Sequence, residues 1–284
     1  MNFTIALAQI DPVLGNLDAN LEKHIAAVSR AREIDADLVV FPELSLTGYS
    51  IKDMNWDLAI NVERDVSRLQ PLLDASKDIS ILAGGVEEDG SFCIFNSSFL
   101  FEDGKVSVPH RKVYPPTYGM FEEMRYFSRG KAVDPVDTKC GRLGVLICED
   151  LWHISLPYVL ALKGAQVIIA LVASPTRIGG NENDLQTSVV NSENHKAYAR
   201  LLSSYIVFCN RVGFEDGVSF WGGSSVVAPG GDVVVTARLF EEDLVTARID
   251  EHEVRRARRF SRHFLDEDPA LILKELSRIS PRTR

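Results

Sequence analysis

The sequence has few of the features that mark secreted, membrane-inserted or metal-binding proteins. Its four cysteines, Cys93, Cys140, Cys148 and Cys209, are scattered, so they form neither a CxxC pair nor a Cys/His metal pattern. We therefore expect reduced thiols and a cytoplasmic location. The start, MNFTIALAQI, has no basic segment and no long apolar run, which argues against a signal peptide and a membrane-spanning helix.

A basic surface is also missing. The 31 lysines and arginines are outnumbered by 40 aspartates and glutamates, which gives a formal net charge of −9. This charge disfavours nucleic acid and anionic membranes as partners. The six histidines show no ligand spacing such as HExxH, so we predict neither a metal nor a cofactor.

The sequence is instead rich in short, apolar, β-branched runs that are bounded by Gly, Pro, Asn or Asp and predict strands. They lie at 3–10, 37–41, 79–85, 93–101, 142–148, 166–173, 204–210, 224–229, 232–237 and 244–249. Helical spacing of apolar residues predicts helices at 17–34, 57–76, 155–164 and 183–203, the first of them capped by Asn16. Hairpin turns are predicted at 102–104 and 230–231.

No Pro- or Gly-rich linker and no repeat divides the chain. The mixture of strands and helices predicts an α/β fold in which helices cover sheets in layers. We expect one domain over residues 1–284, with a core that ends near Asp250. The tail, 251–284, has clustered basic residues, an acidic break and a short apolar helix. It is predicted to pack on the surface or on a partner subunit.

Three reactive side chains are candidates for a site: Glu43 and Cys148 lie at the ends of predicted strands, where α/β proteins build sites, and Lys112 lies in a loop rich in aromatic residues and proline. Glu43 lies in VVFPELSLTGY, Lys112 in PHRKVYPPTYGMFEEMRYF and Cys148 in GVLICEDLWH. Each one alone has an ordinary interpretation, as a solvated carboxylate, a surface lysine or a packed thiol. Together they fit attack on an amide or nitrile carbon, which requires a nucleophile, a proton carrier and a positive charge. In that reading the lysine steadies both the thiolate and the developing oxyanion.

These motifs, in the order Glu, Lys, Cys, resemble the nitrilase superfamily of carbon–nitrogen hydrolases. FPELSLTGY, HRKVYPPTYGMFEE and LICEDLW carry the resemblance, and FWGGSSVVAPGG (220–231) is similar to the superfamily's F-x-G-x-S strand pair. The resemblance covers nearly all of the chain. It implies a four-layer α-β-β-α sandwich and a homodimer or higher homo-oligomer.

The same resemblance implies a role for each site residue. Cys148 would be the nucleophile at a strand-to-helix elbow, Glu43 the general base and Lys112 the oxyanion cation. The backbone N–H of Glu149 would be the second oxyanion donor.

A further glutamate bonded to the lysine is also implied by the resemblance. Glu123 matches its position best, and Glu122 is the alternative. His153 lies five residues after the cysteine, and we interpret it as a structural or rim residue rather than a catalytic one.

Within the superfamily, the sequences of these motifs most resemble those of the glutaminase domain of glutamine-dependent NAD synthetase. That resemblance implies that Tyr118, Ser174 and the stretch after Cys148, including Glu149, line the substrate pocket. Arg177 could hold a substrate carboxylate, although an exposed arginine fits the sequence equally well. Neither GxxxxGK[ST] nor SGGxDS occurs, so such a glutaminase would need a separate ammonia-using synthetase as its partner.

We therefore predict an amidase that releases ammonia from a small linear amide through a cysteine thioester. A true nitrilase is disfavoured, because nitrilases more often carry C-W-E where this chain has Cys148-Glu149-Asp150. Two alternatives stay open: a glutaminase subunit that supplies ammonia to a separate NAD synthetase, and a catalytically silent binding module.

Overall fold

Two six-stranded sheets form the centre of the computed structural model, which describes residues 1–176 and 186–279. The first sheet consists of β1 (Asn2–Gln9), β2 (Leu38–Val40), β3 (Ser80–Glu88), β4 (Ile94–Glu102), β5 (Lys105–Arg111) and β14 (Asp243–Asp250). Its strand order is β14-β1-β2-β3-β4-β5. β1, β2 and β3 run parallel, whereas β14, β4 and β5 pair antiparallel with their neighbours.

The second sheet consists of β6 (Val136–Thr138), β7 (Gly141–Ile147), β8 (Val167–Val172), β9 (Tyr205–Asn210), β12 (Ser225–Val227) and β13 (Val233–Thr236). Its order is β13-β12-β9-β8-β7-β6, with β7, β8 and β9 parallel. A separate hairpin joins β10 (Val212–Glu215) to β11 (Val218–Trp221).

The helices are α1 (Leu17–Glu33), α2 (Asn55–Leu58), α3 (Gln70–Ala75), α4 (Glu123–Tyr126), α5 (Ser155–Leu162), α6 (Gln186–Leu202), α7 (Glu251–Phe260) and α8 (Pro269–Leu276). One core cluster joins the two sheets face to face through residues such as Ile5 and Val145. A second cluster packs α1 and α3 on the first sheet, and a third packs α5 and α6 on the second. The predicted α-β-β-α sandwich is therefore confirmed.

The helix predicted at 57–76 is wrong over much of its length. Only α2, a 3₁₀ turn at Val66–Leu69 and α3 are helical there. Ile60 instead forms an isolated parallel bridge with Glu87 at the end of β3. This contact with the sheet overrides the helical periodicity of the local sequence. The hairpin predicted over 79–110, with its turn at 102–104, is confirmed, because β4 pairs antiparallel with the edge strand β5.

The tail begins as two helices. In α7, Val254 is buried in the core between the sheets, whereas α8 has no buried residue. Packing of the tail on a partner subunit stays a prediction. Within the two described segments, no helix combines the length and apolarity needed to cross a membrane.

The loop that carries Glu43 passes very close to β3 at Gly84. A β-carbon on residue 84 would lie 2.4 Å from Leu44 N, 2.6 Å from Pro42 O and 2.8 Å from Glu43 Cα. Leu46 N also donates a hydrogen bond to Gly84 O (3.0 Å). The missing side chain at Gly84 therefore lets the sheet hold the Glu43 backbone in place.

We expect Gly84→Ala to lower the free energy of unfolding by roughly 1–3 kcal/mol, because it overpacks this contact, and to reduce turnover by displacing Glu43. Urea titration and an activity assay measure the two effects. Gly90→Ala is the matched control, since no described atom lies within 4 Å of the added carbon. Equal shifts in both variants would contradict this explanation.

Candidate active site

A lysine held between two glutamates forms the centre of the site. Lys112, which follows β5, lies with its Nζ 2.7 Å from Glu43 Oε1 and 2.7 Å from Glu123 Oε1. All three side chains are buried. Burial alone would lower the pKa of Lys112, but the charges of Glu123 and Glu43 outweigh it and raise the pKa well above its usual value. The lysine is therefore a permanent cation.

Two further donors fix the Glu43 carboxylate. Asn96 Nδ2 donates to Glu43 Oε1 (2.8 Å), and the backbone N–H of Ala173 donates to Oε2 (2.9 Å). The backbone carbonyl oxygen of Asn96 also accepts a hydrogen bond from the backbone N–H of Lys112 (2.9 Å). Both sheets thus contribute to the position of this carboxylate, because Asn96 lies on β4 and Ala173 follows β8.

Of the two candidate glutamates, Glu123 contacts the lysine, whereas Glu122 is exposed. Tyr49 donates its hydroxyl to Glu123 Oε1 (2.6 Å), the same oxygen that accepts from Lys112. Burial raises the pKa of Glu123 to about 7 against the opposing charge of Lys112, and Glu43 adds to the increase. Within the described residues, the buried Oε2 of Glu123 has no hydrogen-bond partner.

Cys148 lies at the predicted elbow, where β7 ends and a 3₁₀ turn, Cys148–Trp152, begins. Its φ is +48°, a left-handed conformation that only a tightly constrained non-glycine residue adopts. Burial and the charge of Glu43 raise the pKa of the thiol well above its usual value, although Lys112 acts to lower it. Burial and Glu43 thus favour the neutral thiol, whereas Lys112 favours the thiolate.

The two carboxylates that follow Cys148 have different surroundings. Asp150 is completely buried. Its carboxylate accepts hydrogen bonds from His110 Nε2 (2.7 Å), Val113 N (3.1 Å), Tyr114 N (2.9 Å) and Ile147 N (3.3 Å). These donors come from both sides of Lys112 and from the residue before Cys148. Asp150 thus clamps the lysine loop to the cysteine elbow.

Glu149 faces a cavity of about 300 Å³ that opens beside Cys148 and that we call the front cavity. Its walls include Tyr118, Trp152 and Ser174. Tyr118 donates its hydroxyl to Glu149 Oε2 (2.7 Å). Ser174 accepts a hydrogen bond from the buried Trp221 indole (3.1 Å). The three residues that the sequence assigned to substrate binding therefore line one cavity with the cysteine.

His153 lies at the edge of the site. Its ring stacks on Tyr114 with centroids 3.5 Å apart, and its Nε2 is 3.7 Å from Glu149 Oε1. Arg177 lies outside the described residues. Across the residues described, no three His, Cys, Asp or Glu side chains are arranged to hold a metal ion.

The sequence reasoning did not identify Tyr49, Asn96 or Asp150 as contributors. Tyr49 and Asp150 lie within the quoted motifs FPELSLTGY and CEDLW, so the motifs held a signal for them. Asn96 lies inside an apolar strand, where a single polar residue that faces a site gives only a weak signal.

A family model described as carbon–nitrogen hydrolase matches residues 4–259, and this chain belongs to that family. Among curated relatives, the glutamine-dependent NAD(+) synthetase of Acinetobacter baylyi is 32% identical over 249 residues, which cover 88% of this chain and 44% of the relative. The chain thus spans less than half the length of that relative.

Solved structures agree with this assignment. The glutamine-dependent NAD+ synthetase of Acinetobacter baumannii superposes with a TM-score of 0.79 at 32% identity, over 89% of this chain and 47% of that one. A carbon–nitrogen hydrolase from Helicobacter pylori has a TM-score of 0.86 and covers 99% of this chain and 100% of its own. At 24% identity, this second likeness supports the fold alone. The chain is thus a member of the nitrilase superfamily.

We expect Asp150→Asn to lower the free energy of unfolding by roughly 2–3 kcal/mol, because an amide NH₂ would face donors that now meet a carboxylate. Turnover should fall as well, since the clamp positions Lys112 relative to Cys148. Urea titration and steady-state kinetics test both effects. Asp134→Asn is the control, since Asp134 is exposed and pairs only with Lys163 among the described residues. An unchanged Asp150→Asn protein would refute the clamp.

Proposed function

We propose that this hydrolase cleaves a primary amide to ammonia and a carboxylic acid through a thioester on Cys148. The contact of Lys112 with both Glu43 and Glu123 supports the proposal most directly. A buried cation with two carboxylates has no structural need for a neighbouring thiol. It suits a reaction in which negative charge develops on a substrate oxygen.

In the first half-reaction, the Glu43 carboxylate accepts the thiol proton as Sγ attacks the amide carbon. Lys112 and the backbone N–H of Glu149 stabilise the resulting oxyanion. Glu43 then donates the proton to the departing nitrogen, the carbon–nitrogen bond breaks and ammonia leaves. Glu123 and Tyr49 hold the lysine in position throughout.

In the second half-reaction, Glu43 accepts a proton from water as the water oxygen attacks the thioester carbon. The carbon–sulfur bond breaks, and the thiol recovers the proton from Glu43. The carboxylic acid leaves, and the site returns to its starting state. One glutamate thus serves both steps, because the first step returns it to the carboxylate form.

Within this reaction, we favour the side-chain amide of glutamine as the substrate. Glu149 places a carboxylate in the front cavity, and a carboxylate there suits the α-ammonium group of an amino acid. The similarity to glutamine-dependent NAD synthetases points the same way. The ammonia would then pass to an ammonia-using synthetase partner.

We expect Cys148→Ala to abolish ammonia release from every member of a panel of glutamine, asparagine and short aliphatic amides, because no thioester can form. Lys112→Ala should lower kcat about 10²–10³-fold, the usual cost of losing one oxyanion donor. Ammonia release is the measurement for both variants. Turnover by Cys148→Ala would exclude the covalent mechanism, and an effect of Lys112→Ala on KM alone would make that lysine a binding residue.

We expect Glu149→Gln to raise the KM for glutamine roughly 10- to 100-fold, as loss of a charged hydrogen bond does. The KM for propionamide, which has no ammonium group, is the internal control and should not change. Steady-state kinetics on both substrates give the comparison. Equal increases for both amides would count against amino-acid recognition by Glu149.

A further inference from the structure

A second, smaller cavity lies beside Cys148 on another side from the front cavity. This rear chamber, of about 20 Å³, shares Cys148, Trp152 and Ser174 with the front cavity but is otherwise lined mainly by α6 and the second sheet. Asn191, His195 and Phe208 form part of its wall. A cavity of this size is large enough to hold one water molecule.

The rear chamber adjoins another cavity of about 80 Å³. The two share Asn191, His195 and Phe208, so His195 borders both spaces. This 80 Å³ cavity is bounded by strand residues that include the exposed Thr236. The shared residues therefore place this 80 Å³ cavity next to the rear chamber, and the rear chamber next to Cys148.

His195 is buried at this junction, with an exposure of 2%, and its ring packs on Phe208 with centroids 4.7 Å apart. Within the described segments, no hydrogen bond joins either ring nitrogen to another residue. Burial lowers the pKa of His195 to about 3, so the ring stays neutral and offers one donor and one acceptor. Buried polar groups nearly always have a partner, and where the protein supplies none, ordered water does.

The two half-reactions make different demands on access to Cys148. During acylation the substrate occupies the front cavity. Once the thioester has formed, its acyl group still covers the cysteine from that side. Water must nevertheless reach the thioester carbon, and the rear chamber is a second space that borders Cys148.

We propose that His195 binds the water that hydrolyses the thioester and holds it in the rear chamber, an inference that rests on the proposed function. The water oxygen forms the new bond to the acyl carbon, and its proton passes to Glu43. The carbon–sulfur bond then breaks, and the sulfur recovers that proton. His195 donates or accepts a hydrogen bond and undergoes no net protonation, so it acts as a positioning residue for water.

The kinetic test compares His195→Leu with the conservative variant His195→Gln. In His195→Leu we expect kcat for glutamine to fall roughly five- to tenfold, the cost of one lost hydrogen bond, while kcat/KM, which reports acylation, stays unchanged. A burst of ammonia should precede a slower steady state, and mass spectrometry should detect the thioester on Cys148. His195→Gln should retain most of the wild-type rate. A parallel fall of kcat and kcat/KM, or no thioester, would overturn the proposal.

A crystal structure of the wild-type chain provides a test that does not depend on turnover. We expect an ordered water in the rear chamber within hydrogen-bond distance of a His195 ring nitrogen. An empty chamber would overturn the proposal even if the chain hydrolyses amides. An ordered water in a chain that forms no thioester with any amide would leave the water site standing and would refute the proposed function instead.

Discussion

The ammonium of Lys112, enclosed by two carboxylates in the protein interior, is the interaction on which the rest of the site depends. Removing three charges from water is costly, and the cost is offset only when each charge has close partners. Asn96 and Tyr49 supply such partners beyond the three charged groups themselves. The trio has an excess of negative charge when both glutamates are ionised. Burial and the charge of Glu43 raise the pKa of the Cys148 thiol, and Lys112 acts to lower it.

The two acidic residues after Cys148 have different roles in the site. Cys148 adopts a left-handed conformation at the start of a 3₁₀ turn, and the next two side chains have different surroundings. Glu149 faces the front cavity, and Asp150 faces the interior and joins two loops. Both residues are acidic, so the positive charge that assists a reactive thiol has to come from elsewhere. That charge comes from the other sheet, through Lys112.

Much of this arrangement could be predicted from the sequence, because strand ends at one edge of a sheet meet at a common site. Glu43 and Cys148 were recognised as candidates in this way, whereas the four layers and the front-cavity residues Tyr118, Glu149 and Ser174 were implied by the resemblance to the nitrilase superfamily. The choice of Glu123 over Glu122 could not be derived from the residues alone, since it depends on the orientation of the four-residue helix α4. The local sequence also failed to predict the bridge between Ile60 and β3, because that contact is set by tertiary packing.

The pairing of β1 with β14 has a consequence for how the protein is made. Residues 2–9 pair along their whole length with residues 243–250, so during synthesis β1 must wait for a partner that lies far along the chain. Contacts so distant in sequence form slowly. Until they form, β1 presents an open edge that can pair with other chains. The first sheet is therefore completed only after β14 has been synthesised.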